Sequence, residues 1–170
     1  MMRCHVASLA AIVSAIAFAT ITAAGATTGA AAQDVTDGER IWSNKAGCPQ
    51  CHGWAGDGHA SGFESPGGLP LRTTQLTRDQ IREVIQCGRP GTPMPHFDRF
   101  AYTDKRCYGY TRDEMGKDMP PAGNDFLSNR EVDAVVKYLF ARDVGKGPAT
   151  YEDCVDFWGK DTKQCEPMKK

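Results

Sequence analysis

Cys48-Pro49-Gln50-Cys51-His52 is the most informative segment of this 170-residue chain. Two thiols three positions apart, at the end of a helix, can each add across one vinyl group of a haem. An adjacent histidine then lies under the ring, where it can bind iron. The segment therefore predicts one covalently attached haem c, held by Cys48 and Cys51, with His52 as a ligand of its iron.

Three other kinds of site also use a Cys-x-x-Cys pair. A structural zinc site needs four ligands, usually two such pairs, and the remaining cysteines of the chain are not spaced that closely. A thioredoxin-like redox pair lies between a strand and a helix, a context that the surrounding sequence lacks. A plain disulfide within the pair would leave His52 unexplained, so haem attachment is the interpretation that we prefer.

Met94 is the candidate for a second iron ligand. It lies in Pro93-Met94-Pro95, and the flanking prolines restrict the chain on both sides, as holding a weak thioether ligand requires. A thioether favours reduced iron and raises its potential. Met119 is a competing ligand, and a methionine also fills gaps in a core without binding anything. His96 is better explained as a surface residue or as a contact to a haem propionate.

The first 32 residues differ in composition from the rest. They contain one basic residue, Arg3, and no acidic residue, and the stretch from Val6 to Ala24 is almost entirely apolar or small. Ala30-Ala31-Ala32 offers the small residues that a signal peptidase needs. These features predict a signal peptide over 1–32, cleaved near Ala32, and hence a periplasmic protein. An uncleaved membrane anchor is the alternative, which the weak hydrophobicity of this stretch disfavours.

The charge of the chain is nearly balanced, with 20 basic and 21 acidic residues. Arg3 is the only charged residue of the predicted signal peptide, so the mature chain keeps a small negative formal charge. The sequence shows no basic surplus of the kind that binds nucleic acid.

The chain has seven cysteines, and one precedes the predicted cleavage point, so an even number remains. In an exported chain this normally means that every thiol is used. Outside the motif, three pairings are open to Cys87, Cys107, Cys154 and Cys165. We prefer Cys87–Cys107 with Cys154–Cys165, because each bridge then closes a short loop, worth ~3 kcal/mol in the chain-entropy model. The first bridge would hold the Met94 loop rigid, although ordinary stapling of a small domain explains it equally well.

Helix signals recur along the chain. Capping boxes followed by apolar residues at helical spacing mark the starts, and glycine marks the end of the second helix at Gly88. The predicted starts are Thr36, Thr77, Ser128 and, for a short fourth helix, Thr150. No β-alternation persists, so we predict an all-α fold. The long irregular stretches 53–70 and 90–125 are unusual unless something large, such as an apolar cofactor, organises them.

In the order of its segments the chain resembles the class I c-type cytochromes along nearly its whole mature length. The matching segments are the helix Gly38 to Lys45, the motif, Pro70-Leu71, Met94-Pro95 and a last helix from Ser128 to Arg142. The resemblance implies a cytochrome c-like helical fold around one covalent haem, and an electron carrier, not an enzyme. It also implies that Pro70 and Leu71 border the haem, with the Pro70 carbonyl accepting a hydrogen bond from His52.

Two segments depart from that family. An insertion over about 97–126 precedes the last helix and an extension over 149–170 follows it, so the cytochrome domain is expected over 33–148. Phe97-Asp98-Arg99-Phe100-Ala101-Tyr102, Cys107-Tyr108-Gly109 and the cysteine-bearing extension resemble cytochromes that accept electrons from quinoprotein (PQQ) alcohol or methanol dehydrogenases. This narrower resemblance implies a shuttle of single electrons from such a dehydrogenase to an acceptor cytochrome or a terminal oxidase chain.

Two other functions stay open at this point. A haem enzyme or sensor would need an open iron site with a labile axial methionine, and His96 is the one hint of it. A fixed cytochrome subunit of a dehydrogenase complex would use the insertion and the extension as its interface. In a shuttle, the aromatic insertion would shape the docking face, and we expect Phe97 and Tyr102 there.

Other side chains are expected to contact the haem or its propionates. Trp42 and Trp54 flank the motif and are expected to pack near the ring, whereas Trp158 is expected to anchor the extension. Arg72 and Arg89 are candidate propionate partners, because a guanidinium pairs well with a carboxylate. The alternative for each arginine is a solvated surface charge.

Overall fold

The computed structural model describes residues 27–60, 65–160 and 162–169. These residues contain no strand and only two isolated β-bridges, so the all-α prediction is confirmed. The helices are α1 (Thr27–Arg40), α2 (Pro49–His52), α3 (Arg78–Cys87), α4 (Arg112–Met115), α5 (Asn129–Arg142) and α6 (Tyr151–Trp158). A π-helical turn, Ile41–Lys45, continues α1, and 3₁₀ turns occur at Gly116–Asp118 and Glu166–Met168. No helix in this part of the chain is both long and apolar enough to cross a bilayer.

α1 begins earlier than the sequence predicts. The expected start at Thr36 is wrong, because the helix already runs from Thr27 and Thr36 lies inside it. The helix therefore continues through the predicted cleavage point at Ala32. The rest of the predicted signal peptide, residues 1–26, lies outside the described residues.

The π-helical turn Ile41–Lys45 joins α1 to the Cys-x-x-Cys-His motif. The Ala46 amide donates to the Ile41 carbonyl at 2.8 Å, five residues back, so the turn holds one residue more than an α-helical turn. Ile41 and Trp42, although adjacent, are both buried at 2 % exposure. The turn thereby brings Cys48 directly to the core.

α1 crosses α5 at Gly38. A Cβ at this position would overlap the Ala134 carbonyl and lie 2.7 Å from Tyr138 Cβ, so the backbones approach too closely for any other residue. Near the crossing, Lys45 Nζ forms an ion pair with Glu131 Oε1 at 2.6 Å. The last helix thus packs across the first, as expected.

The predicted capping boxes begin α3 and α5. Thr77 Oγ1 accepts from the Gln80 amide at 3.3 Å, and Gln80 Oε1 accepts from the Thr77 amide at 2.8 Å. Ser128 and Glu131 form the same box at the start of α5. α3 ends at Gly88, whose φ of +69° favours glycine. These boundaries confirm the predictions, and α6 is the predicted fourth helix.

The insertion packs beside the end of α3 around a buried cluster of its own. Cys87, Ala101, Tyr102 and Cys107 form this cluster, and Tyr108, Met115 and Met119 pack against it. The predicted Cys87–Cys107 disulfide is present and joins the insertion to α3.

The extension is closed by the predicted Cys154–Cys165 disulfide. α6 contacts the domain through Phe157, which packs against the main core with its ring 5.8 Å from that of Trp54. Trp158 is 45 % exposed, so the prediction that it anchors the extension is wrong. The orientation of α6 places its neighbour Phe157 inward instead.

Candidate haem-binding site

A cavity of about 580 Å³ opens between α2, α3 and α5 and the loops that follow α2 and α3. Its volume lies in the range of ~300–1,000 Å³ that is usual for ligand and cofactor pockets. The apolar part of its wall consists of Trp42, Leu71, Leu76, Ile81, Val84, Ile85, Phe97, Val135 and Leu139. Such a lining suits a large apolar group and excludes water from it.

Cys48 and Cys51 line this cavity as free thiols. The His52 amide donates to the Cys48 carbonyl at 2.9 Å, which closes one helical turn and places residues three apart on one face. Burial raises the pKa of Cys48 to about 12, so this thiol is protonated at neutral pH. Two thiols on one face of a short helix could both form thioethers to one group in the cavity.

The imidazole of His52 is oriented by a backbone carbonyl. Nδ1 lies 3.0 Å from the Leu69 oxygen, and because a carbonyl can only accept, Nδ1 carries the proton. The second nitrogen, Nε2, therefore keeps its lone pair, as a metal ligand requires. Burial lowers the pKa of His52, which also favours the neutral ring.

The residue that holds His52 is Leu69, not Pro70, so that part of the sequence prediction is wrong by one position. The chain passes closest to the ring at Gly68, where a Cβ would lie 2.6 Å from His52 Nδ1. This close approach brings the next carbonyl, that of Leu69, within hydrogen-bond distance. Pro70 and Leu71 do line the cavity.

Met94 lines the cavity from the loop after α3. Its amide donates to Thr92 Oγ1 at 3.2 Å, and its carbonyl accepts from the Arg89 amide at 3.2 Å, so both sides of the residue are held. Met119, the competing candidate, packs in the cluster of the insertion and does not line the cavity.

The chemical groups around the cavity fit haem c. Two free thiols, an imidazole with an available Nε2 and a thioether meet in one mostly apolar space. Residues 33–109 match the family model described as cytochrome c oxidase, cbb3-type, subunit III. The chain contains a class I c-type cytochrome domain. Neither a curated protein nor a solved structure matches the chain. The family implies haem c as the cofactor.

The two arginines proposed as propionate partners lie in different surroundings. Arg89 of the cytochrome is exposed and lines the cavity, where it can meet a carboxylate. Arg72 is 5 % exposed and points away from it: Nη2 bonds Asp153 Oδ2 at 3.0 Å and Nη1 bonds the Ala55 carbonyl at 3.3 Å. Both expectations for Arg72, a propionate partner or a surface charge, are wrong, because it joins the domain to the extension.

Of three aromatic predictions, the one for Trp42 is confirmed and those for Trp54 and His96 need correction. Trp42 lines the cavity of the cytochrome, but Trp54 packs on Phe157 of the extension instead. His96 is 3 % exposed, with Nδ1 donating to the Asp98 carbonyl at 3.0 Å and its ring stacked on Phe126. It is therefore neither a surface residue nor a propionate contact, because the insertion covers it.

The expected docking residues Phe97 and Tyr102 are buried, at 4 % and 1 % exposure, so that prediction is wrong. Phe97 lines the cavity and Tyr102 lies in the cluster of the insertion. The aromatic side chains that the insertion exposes include Phe100 and Tyr110, at 56 % and 51 %.

Gly68 and Leu69 are site residues that the sequence did not lead us to predict. The available signal was the glycine pair Gly67-Gly68, which directly precedes Leu69-Pro70.

Proposed function

We propose that this haem-based electron-transfer protein is a periplasmic single-haem carrier, in which Cys48 and Cys51 would attach the haem through thioethers and His52 and Met94 would be the ligands of its iron. The observation that carries the proposal is the convergence of these four side chains on one apolar cavity of haem-compatible volume. The unpaired state of the two thiols supports it further, since the other four described cysteines form disulfides.

When bound, haem supplies a one-electron redox couple at its iron. The chain orients and protects that couple. The Leu69 carbonyl fixes the tautomer of His52 and raises its basicity, and the Met94 thioether would favour the reduced state of a bound haem. Apolar walls that include Ile81 and Leu139 exclude water and thereby also favour the less charged form.

Electrons would enter and leave at the mouth of the cavity. One side of the mouth is formed by the exposed segment 66–70, in which Leu69 is 60 % exposed, and the other by Thr92 and Pro93. Among the described lining residues, Arg89 is the one with a permanent charge. A small, nearly uncharged rim suits brief contacts with changing partners.

For the donor we propose a quinoprotein (PQQ) alcohol or methanol dehydrogenase, and for the acceptor a cytochrome or an oxidase chain. The support is the sequence resemblance of the insertion. The periplasmic location is supported by the signal-like N-terminal segment and by two disulfides, which persist in oxidising compartments. With cleavage near Ala32, the mature protein begins at Gln33.

The absorption spectrum of the matured protein tests the proposal. We expect a low-spin c-type spectrum, a sulfur-to-iron charge-transfer band in the oxidised state and no binding of carbon monoxide in the reduced state. Met94→Ala should abolish the band and admit carbon monoxide. Met119→Ala is the matched control, because its side chain packs in the insertion, and it should change neither. The opposite pattern would make Met119 the ligand, and a wild type that binds carbon monoxide readily would favour an enzyme or a sensor.

A further inference from the structure

Two tyrosine hydroxyls of the insertion reach the last carbonyl of α3 and the carbonyl of Gly88, the residue that follows it. Tyr102 donates to the Cys87 carbonyl at 2.9 Å, and Tyr108 donates to the Gly88 carbonyl at 2.8 Å. The acceptors are consecutive residues at the point where α3 ends and the Met94 loop begins. Both acceptor residues are buried, so the hydroxyls give these two carbonyls the partners that water supplies at an exposed helix end.

The peptide group between Gly88 and Arg89 is held at both ends. Its carbonyl accepts from Tyr108, and its N–H, that of Arg89, donates to the Met94 carbonyl at 3.2 Å. Because a peptide group is planar, the direction of its carbonyl fixes the direction of its N–H. Tyr108 is therefore connected to the backbone of Met94 through one rigid unit.

The same peptide group has little room to move. Gly88 has a φ of +69°, and a Cβ there would lie 2.8 Å from both the Met94 carbonyl oxygen and Pro120 Cβ. Tyr102 and Tyr108 themselves have φ values of +59° and +53°, and within the described residues they are the non-glycine residues with positive φ. This conformation costs energy in a residue with a Cβ. The backbone of the insertion is therefore strained at Tyr102 and Tyr108, the two residues whose hydroxyls donate to the carbonyls at the end of α3.

We propose that Tyr108, with Tyr102 on the preceding carbonyl, is a positioning residue for Met94: its hydroxyl fixes the Gly88–Arg89 peptide group and so keeps the thioether directed into the cavity. The proposal rests on the proposed ligation of iron by Met94. The Cys87–Cys107 disulfide fixes the distance between the insertion and α3, and the hydroxyls fix the orientation of the peptide groups.

The test is the rate at which imidazole displaces the methionine in the oxidised, haem-loaded full chain. Imidazole binds only after the thioether leaves, so this rate measures how firmly the loop holds Met94. Tyr108→Phe removes one neutral hydrogen bond, and we expect the rate to rise about 2- to 10-fold. Tyr110→Phe is the matched control, because this tyrosine is 51 % exposed, and it should leave the rate unchanged. The guanidinium unfolding midpoint of both variants is measured in parallel.

The outcomes separate a positioning role from a merely structural one. A rise in the imidazole rate that exceeds the loss of global stability supports the proposal. An unchanged rate in Tyr108→Phe, or a rise that only follows global unfolding, overturns it while Met94 ligation stands. If the wild type lacks the sulfur-to-iron band, Met94 is not a ligand and both proposals fall. Should Tyr108→Phe not mature, Tyr102→Phe is tested in the same way.

Discussion

The orientation of His52 depends on Gly68, a residue without a side chain. A Cβ at this position would lie 2.6 Å from Nδ1 and 2.8 Å from Cε1 of the imidazole, far inside contact distance. Only a glycine at 68 lets the loop come close enough for the Leu69 carbonyl to accept the Nδ1 proton.

Gly68→Ala should therefore move either the ring or the loop. We expect the free energy of unfolding of the loaded protein to fall by ~1–3 kcal/mol, the usual cost of an added methyl in a packed site, together with loss of the native low-spin spectrum. Leu69→Ala keeps the backbone carbonyl and should retain that spectrum. Denaturant unfolding and visible absorption check both variants, and native values for Gly68→Ala would mean that the loop can shift without cost.

The start of α5 depends on a single carboxylate. Glu131 accepts from the amide of Ser128 at 2.9 Å and pairs with Lys45 from the π-helical turn. The hydrogen bond from Lys45, more than those from Ser128, lowers the pKa of Glu131 to about 2. A lowered pKa in the folded state stabilises the protein above the unfolded value of ~4.3, and this contribution is lost as the pH falls from there toward 2.

Glu131→Gln should accordingly cost ~1–2 kcal/mol of stability at pH 7 and less at pH 3, where the carboxyl of the unfolded chain is already protonated while folded Glu131 is still mostly ionised, so that part of the contribution is lost. Urea unfolding at the two pH values measures this difference. Glu152→Gln is the control, because Glu152 is exposed in the first turn of α6. An equal loss at both pH values would assign the effect of Glu131 to packing instead of charge.

Elements with local signals were predictable from the sequence. The starts at Thr77 and Ser128 and the end at Gly88 follow from side chains and backbone within one turn. The start of α1 and the π-helical turn were not predictable in this way, because packing against α5 stabilises them. The same distinction applies to the candidate site. The Cys-x-x-Cys-His motif and Met94 could be identified from neighbouring residues. The hydrogen bond from His52 to the Leu69 carbonyl and the burial of Arg72 depend on contacts between residues distant in sequence.

At the scale of the molecule, two exposed apolar side chains lie on different surfaces. Leu69 lies at the mouth of the cavity, and Phe100 lies on the insertion. If the mouth serves every partner and the insertion serves the dehydrogenase, substitutions at the two positions should have different effects.

Leu69→Arg should slow electron transfer with both the donor and the acceptor, because it adds charge to a rim that all partners must approach. Phe100→Arg should slow reduction by a quinoprotein dehydrogenase and leave oxidation by the acceptor unchanged. Stopped-flow kinetics measure both rates, and unchanged spectra show that the haem site is intact. Equal reduction rates for Phe100→Arg and the wild type would exclude the insertion as the docking surface for that donor.

The π-helical turn has a consequence for comparing this chain with its relatives. It contains one residue more than an α-helical turn would need between Gly38, at the crossing with α5, and Cys48. One residue corresponds to a rotation of about 100° around a helix, so the extra residue changes which side chains face inward. A gapless alignment to a cytochrome with a regular first helix would therefore pair Gly38 with the wrong residue, and a one-residue gap placed within 41–45 restores the correspondence on both sides.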